Sequence, residues 1–250
     1  MTYLQRVRPR TLVAVLLAAA AVLSGCSKSL PNPLDELTRE YRKYPEFSVI
    51  LEDMQVSGNF VKSYFHAYKV LYKPQQAAAE GEETPFKTDL RSWVEVKKDF
   101  YLAYEPYLGM TVLSKEEGKE DVSRVQQPAG YQYVGNTQYG HWQSNPSGGS
   151  FWVFYGQYAL LRDMLGAGTH PIRRTHWDDY RNTHGSGRPY FGSGSTPSYG
   201  TNGSLTKTQH PTFFERQQLR QSAKNQRFSQ RVGSRVGRTQ SRGSGRFGGK

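Results

Sequence analysis

Charge is spread so unevenly along this chain that a single, evenly built globule is excluded. Residues 26–165 hold 15 Lys and Arg against 18 Asp and Glu, whereas residues 201–250 hold 11 against 1. The net charge of +12 and the sequence pI of about 9.7 therefore belong to the end of the chain and not to its middle. Hydrophobic residues make up only 36% of the 250, and the 25 glycines crowd toward the second half. A chain of this length can form one sizeable core or a core plus a tail, and this distribution selects the second.

The beginning has a different pattern. Arg6, Arg8 and Arg10 precede an uncharged stretch over residues 12–24, and a small residue then precedes Cys26, the only cysteine. Cations, an apolar stretch and a small-residue cleavage site are the three parts of a secretory signal. No membrane span is required, because a span takes roughly 20 apolar residues. Leu23-Ser24-Gly25-Cys26 resembles the lipobox of bacterial lipoproteins.

That resemblance covers the export segment alone. It implies that Leu23 and Gly25 are read by the signal peptidase. It also implies that the Cys26 thiol takes a diacylglyceryl group through a thioether, and that the freed amine is acylated, commonly with palmitate. Each buried methylene is worth about 0.8 kcal/mol, so two or more acyl chains make a stable anchor. Ser27 follows Cys26 where inner-membrane lipoproteins of diderm bacteria carry aspartate; this implies the outer membrane, on its periplasmic or surface side. The plain alternative is an ordinary signal whose cleavage site happens to precede a cysteine. With one cysteine the chain can form no internal disulfide, and lipidation removes its only thiol from metal binding and catalysis.

After a tether over residues 26–32, Asn32-Pro33 opens a first helix, with Leu34, Leu37 and Tyr41 at helical spacing and Asp35 and Glu36 near the positive end of its dipole. Residues 47–56 and 60–73 are rich in β-branched and aromatic side chains, and Ser57-Gly58-Asn59 between them signals a turn. The pattern predicts a hairpin. In its second strand, Phe60, Tyr64, Tyr68, Val70 and Tyr72 share one face while Val61, Phe65, Ala67 and Leu71 share the other, so both faces need cover. His66, on the tyrosine side, reads as a packed, hydrogen-bonded side chain more readily than as a ligand or base. A polar loop over 75–84 leads to a strand at 93–96, a short helix over 99–108 stopped by Gly109, and strands at 110–114 and 122–125.

Residues 130–150 are dense in glycine and aromatics. Tyr131, Tyr133, Tyr139 and Trp142 either form a stacking surface for sugars or peptides, or close the core. Residues 151–165 (FWVFYGQYALLRDML) read as a helix capped by Ser150 and ended by Gly166. Such a helix is buried on most sides, or else Trp152, Phe154 and Tyr155 dip into a membrane interface. At 1.5 Å per residue it reaches about 22 Å, too short for the roughly 30 Å hydrocarbon core.

The expected fold is α+β, a small, mostly antiparallel sheet of four to five strands with two to three helices, followed by a disordered basic tail. The domain plan is a signal at 1–25, the tether at 26–32, a globular domain at 33–166, a Gly/Ser/Tyr-rich linker at 167–211 and a basic tail at 212–250. In the linker, His170, His176, Asp178, Asp179 and His184 lie close in sequence, but no i, i+4 histidine pair occurs and no metal site is assigned. No cofactor is called for.

The tail repeats Arg216, Arg220, Lys224, Arg227, Arg231, Arg235, Arg238, Arg242, Arg246 and Lys250 every three or four residues, a continuous cationic stripe if the segment is helical. Helix is expected to about Val232, and Gly233, Gly237, Gly243 and Gly245 argue for coil beyond it. Behind a lipobox, nucleic acid is an improbable partner. Anionic lipid, lipopolysaccharide, an acidic wall polymer or a partner protein fits better, and a solvated tail without a partner is the plain alternative. The sequence shows no G-x-S-x-G, H-E-x-x-H or Walker pattern. The expected function is a lipid-anchored envelope lipoprotein with a non-enzymatic binding or structural role. The alternative is a cell-wall glycan or peptidoglycan processing enzyme that uses the 130–150 loop with Asp163, Asp178 or Asp179 as its acid.

Overall fold

The first helix begins where its capping chemistry puts it. In a computed structural model that describes residues 30–75, 85–146, 148–164 and 170–240, the Asn32 side chain accepts the Leu34 amide at 3.0 Å, Pro33 occupies the first turn, and α1 runs Pro33–Tyr41. Leu34, Leu37 and Tyr41 are its buried face. They lie against a five-stranded antiparallel sheet of order β3-β2-β1-β4-β5, made of β1 (Phe47–Ser57), β2 (Ser63–Tyr72), β3 (Lys87–Val96), β4 (Met110–Lys115) and β5 (Gln127–Pro128). The α+β class and the five strands match the expectation.

β1 and β2 form the expected hairpin, with a bulge between Leu51 and Asp53. Its turn is longer than the Ser-Gly-Asn signal suggested. Phe60 and Val61, expected to lead the second strand, are fully exposed in the turn, which Gly58 enters with a φ of +88°. β3 extends well ahead of the expected 93–96, and the strand expected at 122–125 is reduced to one bridge between Ser114 and Ser123.

Both faces of the sheet are covered. On the first, Phe47, Val49, Leu51, Met54, Tyr68, Val70 and Val112 pack with α1, with Tyr101 of α2 (Lys98–Tyr104) and with Phe213. His66 belongs to this face. It is fully buried, its Nδ1 lies 2.9 Å from the Tyr68 hydroxyl, and the rings of Phe100, Tyr101 and Tyr104 surround it, so the packed reading holds.

The second face is covered by chain that the sequence assigns elsewhere. Leu71 packs with Tyr131, Tyr133, Val134, Tyr139, Trp152, Tyr158, Leu161, Ile172, Tyr180 and Tyr190. Residues 151–165 are not one helix. Ser150–Phe154 is strand β7, paired in register with β6 (Gly140–Ser144), and after Tyr155 the chain turns into a short α3 (Ala159–Met164). The physical reason is period two: Trp152 and Phe154 are buried while Phe151 and Val153 are half-exposed, and the Trp142 and Trp152 rings meet edge to face at 5.2 Å across the pair.

Residues 170–211, expected as part of a flexible linker, are likewise ordered into helices and core. They contain α4 (Arg174–Gly185) and α5 (Ser204–Gln209), and Ile172, Tyr180 and Tyr190 are buried in the second core. Tyrosine makes this work, because each ring fills volume while its hydroxyl finds a partner: Tyr131 with Tyr199 at 2.9 Å, Tyr180 with Gln127, and Tyr190 with the His176 carbonyl at 3.0 Å. Gly135 serves the same packing. At φ +83° its missing side chain leaves room for the Trp177 ring, which a Cβ would meet at 2.2 Å. Asn32–Lys250 is one unit, and a domain ending at 166 would cut through its core.

The last helix, α6, is Pro211–Gln240. It continues past Gly233, where coil was expected, because Gln, Arg, Lys and Ala over the preceding turns outweigh a cost of about 1 kcal/mol per glycine. The signal, Cys26, the loop over 76–84 and the last ten residues lie outside the described residues. Among the described residues no helix is long and apolar enough to cross a membrane.

Removing residues 167–250 takes Ile172, Tyr180, Tyr190 and Phe213 out of the two cores, at about 1.5–3 kcal/mol each, which approaches the whole stability of an ordinary domain. We predict that a chain ending at Gly166 shows no cooperative thermal transition by circular dichroism, where the chain to Lys250 shows one. An intact transition in the shortened chain would mean that the second layer is dispensable.

Candidate functional site

The tail forms a surface. α6 starts against the sheet, where Phe213 is buried and Phe214 packs beside it. Arg216 pairs with Asp53 and lies 6.0 Å from the centre of the Trp93 ring. Farther out, Arg227 reaches Asn59 of the β1–β2 turn at 3.3 Å. At 1.5 Å per residue, thirty residues make a rod of about 45 Å.

Arg216 and Arg220 are half-buried, while Lys224, Arg227, Arg231 and Arg235 are exposed. At 100° per residue these six cations fall within a third of the helix circumference, so the stripe expected from the spacing forms. The segment's one acid is Glu215, in the first turn. Leu219, Phe228 and Val232 are also exposed, at 70%, 69% and 44%, and Phe228 and Val232 flank the cations one turn apart. Because α6 carries many like charges and few acids, an anion brought to it meets little local competition.

Three of the four loop aromatics close the core. Tyr131, Tyr133 and Tyr139 are at most 1% exposed, which corrects the stacking-surface reading for these three. Tyr139 instead donates its hydroxyl to Glu46 at 2.6 Å, and the Tyr133 hydroxyl lies 3.4 Å from Ser48. Trp142 is half-buried, but its face is taken by Arg174, whose guanidinium carbon is 4.8 Å from the ring centre.

The acids considered for glycan chemistry do not converge. Asp163 pairs with Arg162, Asp178 pairs with Arg174, and Asp179 accepts from Ser193 at 2.6 Å. Among the described residues no group of three His, Cys, Asp or Glu side chains is placed to hold a metal ion. His184, one of the clustered histidines, packs at a tilt against Tyr180 with ring centres 5.2 Å apart, and burial lowers its pKa.

Two features escaped the sequence reading. Arg174, Trp177 and Arg181 stand at i, i+3 and i+7 on α4, and with Trp142 they form a cluster of guanidiniums and indoles in which each cation–ring contact is about 5 Å and the two indoles meet edge to face at 5.5 Å. The spacing was visible, but the segment around it has the composition of a linker. The other is Glu46, a single acid before the first strand that becomes 3% exposed. Burial pushes its carboxyl up to about 7 against the pull of the Tyr139 hydrogen bond, with Glu117 and Glu116 adding to the rise and Lys73 opposing it.

Compared with protein-family models, with curated proteins and with solved structures, the chain gives no significant match.

The Glu46 shift has a sign that can be tested. A carboxyl whose folded pKa, about 7, exceeds its ordinary 4.5 lends stability that is complete below 4.5 and lost as pH rises to 7, about 3 kcal/mol in all. His66, lowered by burial from 6.5 to about 4, acts oppositely and loses its contribution as pH falls through that window. Comparing wild type with Glu46→Gln cancels the histidine. The variant should gain in relative melting temperature between pH 4.5 and 7, and parallel curves would show that Glu46 ionises as an exposed acid does.

Proposed function

We propose that this chain is a lipid-anchored lipoprotein of the bacterial cell envelope with a non-enzymatic binding role, and that α6 is the part that makes contact. Cys26 supplies the membrane attachment, with Leu23 and Gly25 as the peptidase's recognition residues. On the outer membrane of a diderm organism this places Asn32–Lys250 on the periplasmic or surface side. The cations at Arg216, Arg220, Arg227, Arg231 and Arg235 meet an anionic envelope component, whether lipid, lipopolysaccharide, an acidic wall polymer or a partner protein.

The observation that carries this reading is the one-sided stripe of α6: six cations on one face, four of them fully exposed, with a single acid in the helix. Near an anionic membrane surface each Lys or Arg contributes about 1 kcal/mol. The four exposed cations then make a contact strong enough to orient a tethered domain, yet weak enough to require the tether. Because these cations are in water, salt weakens the contact over a Debye length of about 8–10 Å.

Two measurements test the two halves. In bacterial cells, radiolabelled palmitate should enter the wild-type chain and be lost in Cys26→Ser; label retained in the variant would exclude Cys26 as the anchor. Separately, the unlipidated Cys26→Ser chain should sediment with phosphatidylglycerol vesicles at low salt and be released by 0.5 M salt. Arg227→Glu, Arg231→Glu and Arg235→Glu together should reduce its binding tenfold or more. Binding that resists both salt and charge reversal would remove α6 from the reading.

A further inference from the structure

Away from α6 lies a cleft of about 800 Å3 whose walls come from two parts of the second layer. One wall is the β6–β7 turn with Ser144, Ser150 and Phe151; the other is the start of α4 with Arg173, Arg174 and Thr175. No acid lines it.

The two arginines are in different states. Arg174 lies against both Trp142 and Trp177, its guanidinium carbon 4.8 and 5.0 Å from two ring centres that are themselves 5.5 Å apart, and Asp178 sits at 3.5 Å. Stacking occupies the faces of a guanidinium and leaves its N–H edge for an acceptor. Arg173 is exposed; its backbone bridges Phe151 and accepts the Trp177 amide, while its side chain makes no ion pair or hydrogen bond with the described residues. A guanidinium held against two indoles and an uncommitted one, at adjacent positions beside the Thr175 hydroxyl and across the cleft from those of Ser144 and Ser150, complement a compact anion with several acceptor oxygens. α4 begins in this wall without a side-chain cap, which adds favourable polarity to a site that the arginines already make.

We propose that this cleft binds a saccharide carrying a phosphate monoester. Its three terminal oxygens suit paired guanidiniums, which bind phosphate through parallel N–H donors. A volume of about 800 Å3 far exceeds a bare phosphate and lies within the range of sites for whole small molecules. Serine and threonine hydroxyls beside the half-exposed Phe151 supply the polar edge and apolar patch that a sugar ring uses. The site does not depend on the α6 stripe, and either can fail without the other.

Calorimetric titration of the Cys26→Ser chain tests this with three probes: N-acetylglucosamine 1-phosphate, inorganic phosphate and N-acetylglucosamine. The sugar phosphate should bind tightest, inorganic phosphate at least several-fold weaker, and the neutral sugar not at all over the same range. Arg173→Gln, at an exposed residue whose side chain has no partners among the described residues, should weaken the sugar phosphate tenfold or more and leave the melting temperature unchanged. Reversing Arg227, Arg231 and Arg235 should leave this affinity as it was. No binding by the parent chain, equal binding by Arg173→Gln, or loss of binding on reversing the α6 charges would each overturn the site. Equal affinity for inorganic phosphate, or binding of the neutral sugar, would overturn the ligand class.

Discussion

A five-stranded sheet with apolar groups on both faces has to be covered twice, and most of the architecture of residues 32–250 follows from that requirement. The first cover is conventional: amphipathic α1, the short α2 and the anchored start of α6 lie over the valines, leucines and aromatics of β1 and β2. The second cover lacks a long apolar helix and is built from tyrosine. Tyr131, Tyr133, Tyr139, Tyr180, Tyr190 and Tyr199 supply bulk where the chain has little Leu or Ile. A buried hydroxyl without a partner is costly, so these rings occur with Glu46, Ser48, Gln127, or one another. The demand for partners draws residues 127–199 into one layer.

The first cover was legible in the sequence and the second was not. Asn32-Pro33 with Leu34, Leu37 and Tyr41 announces a capped helix through local rules that structure seldom overrides. The β1–β2 hairpin is equally local. Residues 151–165 failed because a dense apolar run satisfies both periods: FWVF alternates like a strand, and YALL repeats like a helix. Its partner, β6, is a glycine- and polar-rich segment with little strand character of its own, so the pairing decided the outcome. Residues 170–211 failed for a different reason. Glycine, serine and arginine predict a solvated linker, but Ile172, Tyr180 and Tyr190 each bury in a core that reaches back through Trp152 and Tyr139 to Leu71.

The same distinction separates the two surfaces. The α6 stripe needs only helical spacing, so its six cations could be read directly from the residues. The cleft needs Ser144 and Ser150 on a hairpin to meet Arg173 and Arg174 on a helix that the composition concealed. Their electrostatics differ as well. On α6 the charges are many, lie along one face and are mostly exposed, which suits an extended anionic surface. In the cleft two adjacent arginines line one wall and one of them lies against two indoles, which suits a small ligand of defined shape. The buried ionisable groups, Glu46 and His66, belong to neither surface and act on stability, in opposite directions with pH.

The most direct test of α6 as the contact is hydrogen–deuterium exchange of the unlipidated chain, with and without phosphatidylglycerol vesicles. Amides over residues 217–235 should become protected with anionic vesicles and not with neutral phosphatidylcholine, while the sheet amides stay unchanged. Unaltered exchange along 217–235 in the presence of bound vesicles would contradict the account, since the membrane would then be held by another part of the chain.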